Sequence, residues 1–157
     1  MVKLDEKKCT LIIDFMSDYI EYYRELLDFE KKKLTLVTQD DIDGLIASIS
    51  TEQALVMQSE SLENKRLKLF DELGIAGMTY RNIAQNSPDE FKTKIEEDAK
   101  VFSALVLEVQ KLNKGIETII SEKFKLMGKN SDKEITAYTG KGKKISNTGN
   151  SSIIKDI

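Results

Sequence analysis

Residues 102–119 read FSALVLEVQKLNKGIETI and contain the apolar pattern that decides the fold. Apolar side chains recur there at steps of three and four residues, at Phe102, Leu105, Val109, Leu112, Ile116 and Ile119. Because an α-helix has about 3.6 residues per turn, this spacing places the apolar side chains on one face. The stretch therefore predicts a long amphipathic helix that packs lengthwise against other helices.

A second long helix is predicted at the start of the chain, with two apolar stripes. The first stripe repeats every seven residues, at Ile13, Ile20, Leu27 and Leu34. The adjacent stripe consists of Cys9, Ile12, Met16, Tyr19, Tyr23 and Leu26. Two stripes indicate that this helix contacts two neighbours. Both stripes end near Glu30 and Lys33, so we expect the last turns of the helix to be more exposed.

The whole pattern predicts an all-α fold, an elongated antiparallel bundle or coiled coil of three long helices. We expect one domain at residues 1–127, with helices at about 5–37, 39–73 and 88–127. The Gly-, Ser- and Lys-rich residues 128–157 predict a flexible polar tail. The first two helices could form a hairpin or one kinked helix, and we favour the hairpin because both stripes of the first helix need covering.

Helix boundaries are indicated by capping residues. Thr38 or Asp40 is the expected N-cap of the second helix, and Gly74 is expected to end that helix in a left-handed conformation. Ser87, which precedes Pro88, is the expected N-cap of the third helix. These residues set the limits between which the apolar faces should pack.

Two further features lie in the linker and the third helix. A short helical piece is expected at Tyr80–Gln85 in the linker. Gly115 interrupts the third helix and should weaken it by about 1 kcal/mol relative to alanine. This glycine indicates either the close approach of a neighbour or a tolerated local defect, and we favour the defect.

Composition argues against enzymatic and metal-dependent functions. The chain contains no histidine, which removes the usual general base near neutral pH and the commonest transition-metal ligand. Its one cysteine, Cys9, lies on an apolar stripe and is expected to be a core side chain. We therefore expect a protein without catalytic residues, cofactor or bound metal.

Charge and hydropathy predict a soluble, cytoplasmic protein. Residues 1–127 carry 18 basic and 24 acidic side chains, whereas residues 128–157 carry six lysines and three acids. An acidic body does not favour nucleic-acid binding, which needs a basic face against phosphates. No signal peptide is recognisable, and no apolar run approaches the roughly 20 residues that span a bilayer.

Some apolar side chains exceed what one helix-helix interface can bury. They include Tyr19, Tyr22 and Tyr23, and, near the end of the third helix, Ile119, Ile120, Phe124, Leu126 and Met127. Such residues can form a groove for an amphipathic partner helix. They can equally pack in the protein's own bundle or in a homodimer, and the sequence leaves these alternatives open.

The chain resembles the FlgN-type flagellar secretion chaperones over nearly its full length. The resemblance is carried by Asp40–Leu45 at the start of the second helix and by the linker at residues 74–87. It extends to Leu112–Ile116 in the third helix and to Tyr138–Lys143 in the tail. The most telling piece is in the tail, where a tyrosine is followed by glycine and a basic residue.

This resemblance implies a non-catalytic cytosolic chaperone for flagellar type III export. Such a chaperone binds the amphipathic terminal helices of hook-associated proteins, prevents their premature assembly and delivers them to the export apparatus. By this analogy we expect the cargo surface at Val109, Leu112, Ile116, Ile119, Ile120 and Phe124. Tyr138 is expected to dock on the export gate. The alternative is a structural or adaptor coiled coil that homodimerises through the same apolar stripes.

Overall fold

The structure, a computed structural model, describes residues 3–128. Within this range the chain forms four helices and no strand. The helices are α1 (Glu6–Thr38), α2 (Ile42–Glu72), α3 (Tyr80–Gln85) and α4 (Asp89–Leu126). The predicted all-α fold is confirmed, with a helix count of four because α3 forms at the place expected for a short helical piece. The predicted tail, residues 128–157, lies outside the described residues apart from Gly128.

The long helices run up, down and up. An ion pair joins Lys33 to Glu52 at 3.1 Å, and the Tyr19 hydroxyl donates to Glu63 at 3.1 Å, so residue numbers rise along α1 as they fall along α2. The predicted hairpin between these helices is therefore confirmed. α4 runs parallel to α1, since Tyr19 contacts Phe102 with ring centroids 5.2 Å apart and, further along both helices, the Lys123 ammonium donates to the Val37 carbonyl at 2.7 Å. With 38 residues, α4 is about 57 Å long.

The turn between α1 and α2 is made by two consecutive aspartates. Asp40 adopts a positive φ of 56° and closes α1, while the Asp41 side chain accepts the Gly44 N–H at 2.8 Å and caps α2. The prediction of Thr38 or Asp40 as the cap is therefore wrong. Asp40 occupies the left-handed position that ends α1, and the Thr38 hydroxyl donates to the Leu34 carbonyl.

The end of α2 follows the expected pattern. Gly74 has a φ of 71°, as predicted for a left-handed residue at this boundary. The Ile75 N–H donates to the Phe70 carbonyl at 2.8 Å, and the Gly74 N–H donates to the Asp71 carbonyl at 3.0 Å. These two bonds form a Schellman motif, which satisfies carbonyls that the helix end would otherwise leave open.

The start of α4 differs from the prediction. Pro88 is the N-cap residue, and α4 has no side-chain cap hydrogen bond. The Ser87 hydroxyl instead donates to the Ile83 carbonyl at 2.6 Å. Ser87 fails as the predicted cap because its hydroxyl is already engaged with the end of α3.

Three apolar clusters follow one another along the bundle. The base cluster, at the α3 end, includes Cys9, Ile12, Met16, Phe70, Tyr80, Ile83 and Ile95. The middle cluster includes Tyr19, Tyr22, Tyr23, Leu26, Leu55, Leu62, Phe102 and Val109. The turn-end cluster, beside the α1–α2 turn, has Val37, Leu45, Ile116 and Ile120 as its buried members. The two stripes of α1 contact α2 and α4 as predicted, and Cys9 is fully buried as expected.

The expectation that the last turns of α1 are more exposed holds only in part, since Lys31, Lys32, Thr35 and Thr38 are exposed, whereas Lys33 and Val37 are buried. Glu30 is 0% exposed and Lys33 is 4% exposed. Their polar side chains interrupt the apolar stripes, but polar side chains of α2 and α4 face them, so the helices remain in contact beyond this point. These buried polar side chains separate the middle cluster from the turn-end cluster.

Candidate functional site

The six side chains predicted to bind cargo lie along α4 but differ in accessibility. Three are interior, since Val109 is 0%, Ile116 2% and Ile120 6% exposed. The other three, Leu112, Ile119 and Phe124, are half-buried and pack against the edges of the middle and turn-end clusters. In this conformation the accessible part of the predicted surface is therefore limited to these three half-buried side chains, and the interior residues hold the bundle together.

The turn-end cluster depends little on α2. Val37 belongs to α1, and Ile116 and Ile120 belong to α4, so Leu45 is the one buried α2 side chain in the cluster. The half-buried residues around it, Leu34, Leu36, Ile119 and Phe124, also come from α1 and α4. The apolar surface at this end is thus mainly a groove between α1 and α4 that α2 covers.

The first half of α2, residues 42–54, is less firmly packed than the second half. Its buried side chains are Leu45 and Glu52, while Ile42 and Ile46 are 59% and 56% exposed. The second half buries Leu55, Val56, Ser59, Leu62, Arg66 and Phe70. Since apolar burial supplies most of the free energy that holds a helix on a bundle, the first half is held more weakly.

A buried polar layer lies between the middle and turn-end clusters. It consists of the buried Glu30 and Lys33 from α1, Glu52 from α2 and Asn113 from α4, together with the half-buried Glu117 of α4. The Lys33 ammonium pairs with Glu52 at 3.1 Å, and both side chains are 5% exposed. The layer therefore places one cation among three carboxylates in the interior.

The carboxylates of this layer are incompletely satisfied. Among the residues that the structure describes, neither Glu30 oxygen has a hydrogen-bond partner, and one oxygen each of Glu52 and Glu117 also lacks one. Burial raises the pKa of the Glu30 carboxyl to about 7; Lys33 and the neighbouring Asn113 amide oppose this rise, whereas Glu52 and Glu117 add to it. Unpartnered buried carboxylates destabilise the closed bundle at this level.

Lys123 of α4 binds the end of α1 and the α1–α2 turn. Its ammonium donates to the Val37 carbonyl at 2.7 Å, to the Thr38 carbonyl at 3.3 Å and to the Asp40 carboxylate at 2.6 Å. The last turn of α1 has no basic residue of its own. Lys123 thus supplies the positive charge that a helix C-terminus favours. No local pattern in the sequence predicts this contact, because it joins residues far apart in the chain.

The three tyrosines of α1 do not form an open partner surface. Tyr19, Tyr22 and Tyr23 are at most 1% exposed. The Tyr22 hydroxyl donates to the Leu55 carbonyl at 2.9 Å, and burial raises the Tyr22 pKa to about 12. Of the alternatives that the sequence left open, packing within the protein's own bundle is the one observed for these residues.

An apolar strip on the outer side of α2 was also missed. It consists of Ile42, Ile46, Met57 and Leu67, each more than half exposed. At about 100° per residue, these positions fall within an arc of roughly 80° on the helix. The buried apolar side chains of the second half of α2 are Leu55, Val56, Leu62 and Phe70, and Met57 and Leu67 fall outside their seven-residue spacing, which is the signal in the sequence that could have identified them. We call this set the outer strip.

Neither a metal site nor a membrane span is found within residues 3–128. No group of three Cys, Asp or Glu side chains there could coordinate a metal ion. None of the helices in the same range has an apolar segment long enough to cross a bilayer. Tyr138, the residue predicted to dock on the export gate, lies outside the described residues.

Comparison with known proteins gives one positive result. The model of the family described as FlgN protein matches residues 10–143. This match covers nearly all of α1, the whole of α2, α3 and α4, and the region of Tyr138. No curated protein and no solved structure gives a significant match. Since the matched residues make up most of the chain, the protein belongs to the FlgN-type flagellar chaperone family.

Proposed function

We propose that this protein is a cytoplasmic chaperone of flagellar type III export whose cargo is a hook-associated protein. The family match over residues 10–143 carries the proposal, because the family implies a flagellar export chaperone-like role. In this proposal the chaperone binds the amphipathic terminal helices of the cargo, prevents premature assembly and delivers the cargo to the export apparatus.

The surface of α4 supports this role physically. Leu112 and Ile119 form a half-exposed apolar strip about two turns long on one edge of α4, beside the buried Ile116, and Phe124 is half-exposed on the opposite edge of the buried face. An amphipathic helix can pack on such a strip through side chains spaced three and four residues apart. A strip that is only partly exposed offers moderate affinity, which suits a chaperone that later releases its cargo.

The proposed role involves no catalysis. The chain has no histidine, and its one thiol, Cys9, is 0% exposed in the base cluster. We further propose that Tyr138 docks on the export gate, because it matches the tail tyrosine of the family and falls within the matched residues.

A direct binding experiment tests the proposed function. The purified chain is titrated by calorimetry with the full-length hook-associated protein of the same bacterium, and with a version that lacks its terminal helices. We expect saturable binding of the full-length protein and at least a hundredfold weaker binding of the shortened one. Equal affinity for both proteins would contradict recognition of the terminal helices.

A structural coiled coil is the second candidate, and the outer strip of α2 favours it. Ile42, Ile46, Met57 and Leu67 place separate exposed apolar side chains along one face of α2, where a second copy of the chain could cover them. Light scattering on the isolated protein separates the two functions. A tight dimer that does not bind added cargo would support the structural coiled coil, whereas a monomer that binds cargo would support the chaperone.

A further inference from the structure

A concealed apolar groove lies beneath the first half of α2. Val37, Ile116 and Ile120 form its floor, and none of them is more than 6% exposed. These side chains belong to α1 and α4, which stay joined at this end by Lys123 and its contacts with the α1–α2 turn. Removal of the first half of α2 would therefore expose the groove without separating α1 from α4.

Few contacts hold this half of α2 in place. Leu45 inserts into the turn-end cluster, and Glu52 pairs with Lys33 at 3.1 Å. The other apolar side chains of this segment do little to anchor it, since Ile42 and Ile46 are more than half exposed and Ile49 is only half-buried. From Leu55 onward α2 is fixed in the middle cluster, so residues 42–54 can detach while the second half remains bound.

The polar layer lies where such a separation would begin. Oxygens of Glu30, Glu52 and Glu117 that have no partner within residues 3–128 would gain water when the segment lifts. Hydration of these carboxylates offsets part of the loss from exposing Leu45. The layer thus lowers the free energy of opening at this level of the bundle, whereas the middle cluster has no comparable set of unpartnered carboxylates among the described residues.

We propose that residues 42–54 are a detachable cover, and that an amphipathic cargo helix displaces this cover and binds the groove formed by Val37, Ile116 and Ile120. The inference rests on the proposed function and deepens it, because it assigns the place and mode of cargo binding. Displacement of the cover would also make Ile116 and Ile120, which are buried residues of the predicted cargo surface, accessible to the cargo helix.

The contacts that the cover makes indicate the chemistry of the cargo helix that replaces it, which we call the guest helix. Leu45 and Glu52 are seven residues apart, or about two helical turns, and so lie on one face of α2. A guest helix that replaces both contacts presents an apolar side chain to the groove and, two turns later, a carboxylate to Lys33. Without that carboxylate, Lys33 would remain as an unpaired, largely buried ammonium, which is costly. We therefore assign the guest as an amphipathic helix with this apolar–acidic spacing.

Two matched leucine truncations test the cover. Leu45→Ala loosens residues 42–54, whereas Leu62→Ala removes a similarly buried side chain from the second half of the same helix. Because displacement of the cover opposes cargo binding, Leu45→Ala should raise the affinity for the full-length hook-associated protein at least threefold. Leu62→Ala should leave it within twofold. Truncations that merely damage the fold would lower the affinity in both variants.

A third variant tests the charge and keeps the core intact. Glu52→Gln weakens the contact of the cover with Lys33 but leaves the ammonium available to a guest carboxylate. We expect this variant to bind the same cargo at least threefold more tightly. An unchanged affinity would contradict the Lys33–Glu52 ion pair as a contact that holds the cover in place.

Hydrogen exchange measured by mass spectrometry on the full chain reports the movement directly. In the unbound protein, amides of residues 44–52 should exchange at least tenfold faster than those of residues 56–70. On cargo binding, exchange should become faster still in residues 44–52 and slower in residues 116–124. Slower exchange in both segments, together with equal effects of Leu45→Ala and Leu62→Ala, would overturn the cover while leaving the proposed function intact. Failure of the wild-type chain to bind any hook-associated protein would overturn the proposed function and the cover with it.

Discussion

Glu30 shows how a single residue can set the conditions under which this bundle is stable. Its side chain is 0% exposed, and neither oxygen has a hydrogen-bond partner among residues 3–128. Burial raises its pKa to about 7, so the folded chain keeps a proton at pH values where an unfolded chain has released it. Stability should therefore depend on pH through this group.

The first prediction concerns Glu30→Gln. Between pH 4.5, the ordinary value, and pH 7, the folded chain binds more protons at Glu30 than the unfolded chain does. The free energy of unfolding of the wild type should therefore fall as pH rises through this window, by up to about 3 kcal/mol. Glutamine lacks the titration, so the variant should gain stability relative to the wild type over the same range. Urea unfolding at several pH values measures this difference, and a difference that does not change with pH would contradict the assignment.

The second prediction compares two glycines that lie inside helices. A Cβ added at Gly115 meets nothing within 4 Å, which agrees with a tolerated defect rather than a close approach. Gly115→Ala should therefore raise the free energy of unfolding by about 1 kcal/mol through helix propensity alone. At Gly44 a Cβ would lie 2.6 Å from an Asp41 oxygen and 2.7 Å from Leu36, so Gly44→Ala should destabilise the turn. Denaturant unfolding of both variants checks the opposite signs.

Predictions for single residues were correct where the neighbouring sequence determines the conformation. They were wrong where residues far apart in the chain determine the burial. Gly74 was correctly predicted to be left-handed because the end of a helix favours glycine at that position. Glu30 and Lys33 were expected to mark the point beyond which α1 is more exposed, because polar residues usually end an apolar stripe. Their burial depends on Glu52 and Asn113, which face them from other helices, and no local pattern contains that information.

At the scale of helices, the α1–α2 turn is held by a residue of α4. Lys123 contacts two carbonyls at the end of α1 and the carboxylate of Asp40. Because Asp40 is 74% exposed, the ion pair itself contributes little, and the contacts with the helix C-terminus add to it. The turn therefore depends on a contact between the first and last long helices.

The third prediction tests this contact. Lys123→Met should lower the free energy of unfolding by about 1 kcal/mol, because it removes the cation from the end of α1. Lys125→Met is the matched control, since Lys125 lies exposed in the same turn of α4. The control should stay within about 0.5 kcal/mol of the wild type. Thermal and urea unfolding of the two variants make the comparison, and equal losses would argue against a specific role for Lys123.

The existence of the helices and their inward-facing residues were predictable from the sequence, whereas the residues at which α2 and α4 begin were not. Apolar spacing identified the long helices, and the two stripes of α1 correctly indicated two neighbours. The starts of α2 and α4 were misassigned because Thr38 and Ser87 use their hydroxyls on the preceding helical turn. A serine or threonine that can bond backwards competes with its own capping role, and the sequence alone does not show which bond forms.

At the scale of the whole molecule, one part of the bundle holds the helices together, and the turn end is the part proposed to bind cargo. The base and middle clusters hold α1, the second half of α2, and α4 together. The turn end combines a small apolar cluster, a polar layer and a weakly packed helical segment. The sequence located the apolar residues of α4 but did not show that three of the six candidates are interior, because burial depends on how the helices assemble.

The fourth prediction separates cargo binding from export. Tyr138→Ala should reduce secretion of the hook-associated protein at least tenfold while the affinity for that protein stays within twofold of the wild type. The reason is that Tyr138 follows α4 in the sequence and is not among the residues assigned to cargo binding. Tyr138→Phe serves as the conservative control and should retain part of the secretion. Loss of cargo affinity in step with secretion would contradict separate roles.

The most direct test of cargo binding on α4 compares two faces of this helix. Leu112→Asp with Ile119→Asp changes the half-exposed strip, whereas Leu107→Asp changes a side chain that is 56% exposed on another face. Calorimetric titration with the full-length hook-associated protein, with helix content verified by circular dichroism, measures the effect. We predict at least a tenfold loss of affinity for the double variant and a change below twofold for Leu107→Asp. Wild-type affinity in a folded double variant would contradict the cargo site.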